Sequence, residues 1–320
     1  MTQGKKVLVT GGAGFVGATL VRQLVQDGHR VRVLDNYSTG DQTHLTGVEA
    51  DLVEGDIRDA ATLDAALGGM DAVIHLAAAG SVIKSIEDPV ANFDVNVLGT
   101  FRVLDAARRA GVERTVQAST GGALIGDATP PVDENSLPKP ISPYGASKLA
   151  GEGYAYAFSQ CYALRTIALR FANVYGPWSE RKTGAMNLFF KAIHAGEPIV
   201  MYGDGTSSRD YTHVDDISRA LRLALTGDVP GGTVLHVASG VETTVQELAD
   251  LCKAAAGVPD HPVSHLAERP GEVDRNFASY DLANKVLGYA PTISREDGIR
   301  RTWQWYNQAV FAREDAALPR

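Results

Sequence analysis

Cysteine is scarce: the 320 residues hold only two, Cys161 and Cys252, with no metal-ligand spacing between them. A disulfide scaffold and a zinc ribbon are therefore not expected, and no metal site is. Long apolar runs are missing too. No stretch approaches the ~20 residues that span a bilayer. The apolar residues 7–9 are too short for the core of a signal peptide. The expected location is the cytoplasm, with no membrane partner. Positive charge is in deficit, since 30 Lys and Arg against 38 Asp and Glu leave a net charge of −8. Sequence-independent nucleic-acid binding needs clustered positive charge, so no nucleic-acid partner is expected. Any anionic ligand must be held by local groups. What is present is ordinary globular composition, with 44% apolar and 21% charged residues, so wholesale disorder is excluded. At roughly 150 residues per domain the length suggests two domains, or one large and one small.

The first half alternates two periodicities. Short apolar runs at 5–10 (KKVLVT), 30–34 (RVRVL), 51–53, 72–76 (AVIHL), 114–118 and 165–170 (RTIALR) read as strands. Between them, residues 18–27, 61–67, 93–110 and 144–159 carry helical spacing. Strands alternating with helices imply right-handed crossovers and a parallel sheet. The expected fold is α/β: a Rossmann-type doubly wound parallel sheet with a smaller α/β substrate-binding domain. After Pro177 glycine, proline and charge become denser, and 202–208 (YGDGTSS) reads as a loop. The expected partition is 1–177 plus about 209–238 for the larger domain and about 178–208 plus 239–320 for the smaller. Ligands of such sheets bind at the carboxyl ends of the strands, where the strand order reverses.

Residues 10–17 read TGGAGFVG, which contains Gly11, Gly14 and Gly17 at three-residue intervals. The motif lies directly after a strand and opens a helix, the context that gives a glycine pattern meaning. Glycines let the backbone approach a pyrophosphate, and the first helical turn, with Phe15 and Val16, offers free N–H groups and a positive dipole. Asp35 ends the second strand, eighteen residues after Gly17. With Asn36 beside it, its carboxylate can accept from adenosine ribose hydroxyls and would repel a 2′-phosphate, which favours NAD over NADP. Asp56 and Ile57, at a strand-end turn, are candidates to meet the adenine.

Tyr144 and Lys148 stand four residues apart on a helical segment, about one turn, so both face one side. A phenol has an unperturbed pKa of about 10. A nearby ammonium and a positive nicotinamide favour its phenolate, which can take a hydroxyl proton while hydride leaves the adjacent carbon. Upstream, residues 118–122 (ASTGG) place Ser119 and Thr120 at a strand end, where hydroxyls can hold a substrate oxygen.

Taken together these residues resemble the extended short-chain dehydrogenase/reductase family, in particular its NAD-dependent nucleotide-sugar epimerases and dehydratases. The resemblance runs from about residue 5 to about 305. It rests also on 75–78 (HLAA), 96–100 (NVLGT), 142–148 (SPYGASK), 170–177 (RFANVYGP), 209–216 (RDYTHVDD) and 269–272 (RPGE). It implies a 4-epimerase of a UDP-sugar, either glucose/galactose or glucuronate/galacturonate, working through a transient 4-keto sugar with NAD retained between turnovers. It implies that Leu76, Ala77, Ala78 and Asn96 line the cofactor and that Lys148 holds the nicotinamide ribose. Thr120, with Ser119, polarises the 4-oxygen. Arg209 and Arg269 grip the diphosphate, Asn173 and Ser81 meet the nucleotide sugar, Val200, Met201 and Tyr202 pack the base, and Glu272 contacts the ribose. A homodimer is implied, with helices 93–110 and 144–159 pairing across the axis.

Three departures from the family pattern narrow the reading. After the fifth main strand the run is Ser119-Thr120-Gly121-Gly122, so that either Thr120 or Gly121 falls at the helper-hydroxyl position, depending on where the gap is set. Gly121 and Gly122 stand where dehydratases and decarboxylases carry acids, and elimination needs an acid to protonate the leaving hydroxyl. Asn276 stands where some epimerases place a bulky Tyr that excludes 2-acetamido sugars. In addition, Arg181 or Lys182 can meet a substrate carboxylate. The alternatives are a 4-keto nucleotide-sugar reductase using free NAD(P)H and a non-catalytic NAD-binding protein on the same fold.

Overall fold

The structure is a computed structural model that describes residues 4–267 and 274–313. The buried apolar runs form thirteen strands, β1 (Lys6–Thr10), β2 (Arg30–Asp35), β3 (Asp51–Glu54), β4 (Ala72–His75), β5 (Arg114–Thr120), β6 (Arg165–Phe171), β7 (Asn173–Tyr175), β8 (Ile199–Tyr202), β9 (Ser208–His213), β10 (Thr233–Val237), β11 (Glu242–Thr244), β12 (Val263–Leu266) and β13 (Arg275–Asn276). Seven make one parallel sheet in the order β10-β6-β5-β4-β1-β2-β3. The chain reverses its direction of winding between β1 and β4, so a crevice opens at their carboxyl ends.

Helices cover both faces. They are α1 (Phe15–Gln26), α2 (Ala60–Leu67), α3 (Val82–Glu87), α4 (Pro89–Phe93), α5 (Thr100–Arg109), α6 (Gly122–Ile125), α7 (Pro143–Tyr162), α8 (Ala185–Ala195), α9 (Val214–Thr226), α10 (Val245–Ala256), α11 (Asp281–Leu287) and α12 (Arg295–Tyr306). On one face Leu20, Val21 and Leu24 of α1 and Ile217, Leu221 and Leu225 of α9 close over Val7, Val9, Val116 and Ile167. On the other, Leu63 and Leu67 of α2, Val103 and Leu104 of α5 and Phe158 of α7 cover Leu8, Leu34 and Val73. Strands buried on both faces explain the near-continuous apolar runs.

Residues 93–110, expected as a single helix, are instead α4, a π-helical turn (Asp94–Gly99) and α5. A π turn carries no distinct hydrophobic period, so the sequence pattern shows only helix. Helix α7 runs longer than its apolar spacing, since Ser142 caps Gly145 N and Pro143 occupies the first turn. Strand β9 pairs with β7, β11 and β13 in a second small sheet, and β8 pairs with β12. The chain returns to the large sheet only with α9 and β10. A third core of Phe189, Phe190, Met201, Leu248 and Tyr306 sits beneath these smaller sheets.

Candidate active site

The glycine loop joins β1 to α1 by close backbone approach. Gly11 has φ +71°, and a Cβ there would lie 2.6 Å from Ala77 N. A Cβ at Gly17 would lie 2.3 Å from Gly11 O, so the turn admits hydrogen only. Gly14 caps α1 without a side chain, which leaves the amides of Phe15 and Val16 without intrahelical acceptors. Asp35 is buried at the end of β2. Its carboxylate accepts from Ala13 N and Tyr37 N, both at 2.9 Å, and so fixes the loop. Burial raises its pKa against those two hydrogen bonds. A concave uncapped helix terminus beside an acceptor carboxylate fits a dinucleotide diphosphate and ribose.

The neighbouring groups are arranged less simply. Asn36 donates to Asp56 at 2.9 Å. Arg58 grips the same Asp56 through two nitrogens and holds its carboxyl well below the usual carboxylate range. The Ile57 side chain is buried core, beside Leu8 and Leu34. Leu76 N donates to Thr10 O, and Ala77 and Ala78 continue from β4 along the crevice. Asn96 is buried and pins this edge: it accepts from Ala79 N at 2.8 Å and donates to Ala79 O and to Ser147 Oγ. The π turn is what aims Asn96 there, and Ser147 in turn donates to Tyr144 O at 2.8 Å.

Tyr144 and Lys148 face one side of α7, with Nζ 6.0 Å from the phenol ring centroid. Lys148 is 9% exposed and donates to Ala118 O at 3.1 Å. Burial lowers it to about 8, with Glu152 opposing, so it remains mostly charged at neutral pH. Burial pushes the Tyr144 phenol up to about 12. In the chain alone desolvation outweighs the ammonium. The phenolate needs a further positive charge close by.

Ser119 and Thr120 diverge at the end of β5. Ser119 is buried and donates to Glu152 Oε1 at 2.6 Å. That carboxylate is bidentate with Arg170, and both partners are buried. Thr120 is partly exposed at the strand end, followed by Gly121, whose amide donates to Phe171 O. Behind Lys148 lies a cavity of about 10 Å³, room for about one water, lined by His75, Asn96, Gln117 and Ser147 among others. Sequence spacing missed Glu152, although it lies one turn beyond Lys148 on the same helix face.

The residues assigned to substrate are more scattered. Ser81 caps α3, accepting from Lys84 N, and Ser85 of that helix accepts from Tyr144 N at 3.2 Å. Asn173 is exposed at the start of β7. Val200 and Tyr202 point outward from β8, whereas Met201 is 1% exposed, so its side chain belongs to the core and not to a base pocket. Strand alternation separates the three. Arg209 donates to Ser208 O and Asp274 O. Asn276 approaches Gly122, where a Cβ would lie 3.2 Å from its side-chain nitrogen. Arg181 does not stand free for a substrate carboxylate. It donates to Asp41 at 2.7 Å and to Gly40 O at 2.9 Å. Arg269 and Glu272 lie outside the described residues.

The profile of the NAD dependent epimerase/dehydratase family matches residues 7–238. The UDP-glucose 4-epimerase of Mycolicibacterium smegmatis is 38% identical over 316 residues, 94% of this chain and 98% of that one. Among solved structures, the UDP-glucose 4-epimerase of Thermotoga maritima with UDP-glucose superposes with a TM-score of 0.91 at 34% identity, covering 95% of this chain and 99% of that one. The Thermus thermophilus UDP-glucose 4-epimerase in complex with NAD gives 0.89 at 36%, covering 95% and 100%. A glycine loop, a β2 carboxylate and a Tyr–Lys helix in one crevice, matched over nearly the whole chain, make this protein a member of the NAD-dependent epimerase/dehydratase family.

Proposed function

We propose that the chain is an NAD-dependent 4-epimerase of a neutral UDP-sugar, UDP-glucose/UDP-galactose first. The observation that carries this is the end of β5, tied to α7 by Lys148 Nζ on Ala118 O: Thr120 is followed by Gly121 and Gly122, with no acid at those positions to protonate a leaving hydroxyl. Oxidation at C4 and its reversal remain the available chemistry. Bound NAD supplies a reversible hydride acceptor. Tyr144 takes the proton of the sugar 4-hydroxyl and returns it to the same oxygen after the keto sugar has turned. Lys148 holds the phenolate charge, and Thr120 hydrogen-bonds the oxygen. Ser119 contributes indirectly, by orienting Glu152.

A neutral sugar is favoured over a hexuronate because Arg181 already faces Asp41. Asn276 beside Gly122 leaves the room that a bulkier side chain would fill, so a 2-acetamido sugar also fits this reading. Arg209 serves the diphosphate. The chain divides near β7 into the large sheet and the smaller sheets, with β9 on the side of the smaller sheets rather than in the large one, to which only α9 and β10 return. Val82, Ile83, Ile86, Val90 and Phe93 on α3 and α4 and Tyr154 on α7 are exposed apolar side chains that a second copy would cover in a homodimer. Free thiols at Cys161 and Cys252 fit a cytoplasmic location.

The test is UDP-[4-²H]glucose incubated with purified protein and no added cofactor. Formation of UDP-galactose with deuterium kept at C4 is expected. Loss of deuterium to solvent, or dependence on added NADH, would reject the reading in favour of another route or a reductase.

A further inference from the structure

Residues 172–182 leave β6 at Phe171 and end against the loop that follows β2. In the large sheet β6 and β2 are separated by β5, β4 and β1. Four strand spacings are about 19 Å, and ten residues reach about 33 Å when extended, so the segment spans that distance easily. In doing so it passes the start of α9, where a Cβ on Gly176 would meet Val214, and reaches α1 at Arg22 and then Phe15, beside the glycine loop.

Both ends are fastened. Trp178 adopts φ +70° and packs on Arg22 of α1, with the guanidinium 4.4 Å from the ring centroid, and on Trp305 at 5.4 Å. Asn187 of α8 donates to Ser179 O, and Lys191 donates to Glu180 O at 3.1 Å. At the far end Arg181 bonds Asp41 and Gly40 O. Glu180 Oε1 lies 2.8 Å from His44 Nε2, while Nδ1 of the same buried ring lies 3.0 Å from Ala13 O in the glycine loop. Lys182 then turns its ammonium to 5.1 Å from the ring of Phe15, at the first turn of α1.

The geometry points to residues 178–182 as a strap that retains the cofactor. Arg181–Asp41 and Glu180–His44 latch it to the loop after β2, and Lys182 places a cation beside the α1 terminus, where a dinucleotide diphosphate would be held. The inference rests on the epimerase reading, in which NAD is reset each turnover and has no reason to leave. It also gives Arg181 and Lys182 a role on the cofactor side rather than the sugar side.

The test measures exchange of bound NAD for added isotopically labelled NAD, followed by mass spectrometry of the extracted nucleotide. The full chain is compared with Arg181→Ala, with Asp41→Asn, which opens the same latch from its other side, and with the double variant. Exchange at least tenfold faster in each single variant is expected, with the double variant no faster than either single one. Should Arg181→Ala fail to fold, Asp41→Asn alone decides. Exchange within twofold of the parent in the variants overturns the strap and leaves the epimerase reading standing. A parent chain that neither contains nor binds NAD overturns both.

Discussion

Tyr144 sits where burial alone would hold its phenol protonated, up to about 12, so its base chemistry depends on positive charge brought close to it. Tyr144→Phe removes the proton acceptor and leaves the crevice intact. Turnover is expected to fall by about 10²–10⁴, while NAD content, read by extraction, stays that of the parent. A variant with unchanged turnover would remove Tyr144 from the mechanism. Tyr144 and Lys148 were legible in the sequence because their relation is local, four residues along one helix. The relations that were not legible are long-range. Arg181 meets Asp41 across 140 residues, and Ser119 meets Glu152 only because β5 packs on α7. Spacing cannot report a pairing made by tertiary structure. Met201 shows the converse: in a strand of alternating exposure, one of three consecutive residues must face the core.

At the scale of elements, glycines decide how closely they approach. A Cβ at Gly17 meets backbone atoms of Gly11 and Gly12 at 2.3–2.8 Å, and backbone cannot step aside as a flexible side chain can. Gly17→Ala is expected to yield protein without bound NAD, its urea midpoint lowered by the equivalent of about 1–3 kcal/mol. Retained NAD in that variant would contradict the account of the cradle. Helix α10 offers a cleaner case: Thr244 and Glu247 make a reciprocal capping box. Thr244→Ala is expected to cost about 1 kcal/mol in the same assay, far from the crevice. The strand and helix alternation of the sheet was readable because each element has its own period. The π turn at Asp94–Gly99 was not, since it is one extra residue inside a helical pattern, yet it aims Asn96 at Ala79 and Ser147.

The whole molecule carries a pH dependence set by its interior. His75 is buried between Thr10 and Thr100, and burial lowers its pKa from 6.5 to about 3. The unfolded chain binds the proton that the folded chain refuses, so stability from this group is complete above pH 6.5 and declines as pH falls toward 3. Urea midpoints between pH 7.5 and 5 are expected to fall less steeply in His75→Gln than in the parent; equal slopes would contradict that role. Among the described residues no helix is long and apolar enough to cross a membrane. A light-scattering mass near twice 34.0 kDa is expected from the apolar face on α3, α4 and α7, and a mass of 34.0 kDa would contradict the proposed dimer. The central claim, a self-sufficient 4-epimerase, is tested most directly by incubating purified protein, without added cofactor, with UDP-glucose, UDP-glucuronate and UDP-N-acetylglucosamine in parallel and resolving products by proton NMR. The account predicts the C4 epimer of UDP-glucose, with UDP-glucuronate the poorest of the three. Absence of a C4 epimer from all three, even after NAD is added, would contradict it.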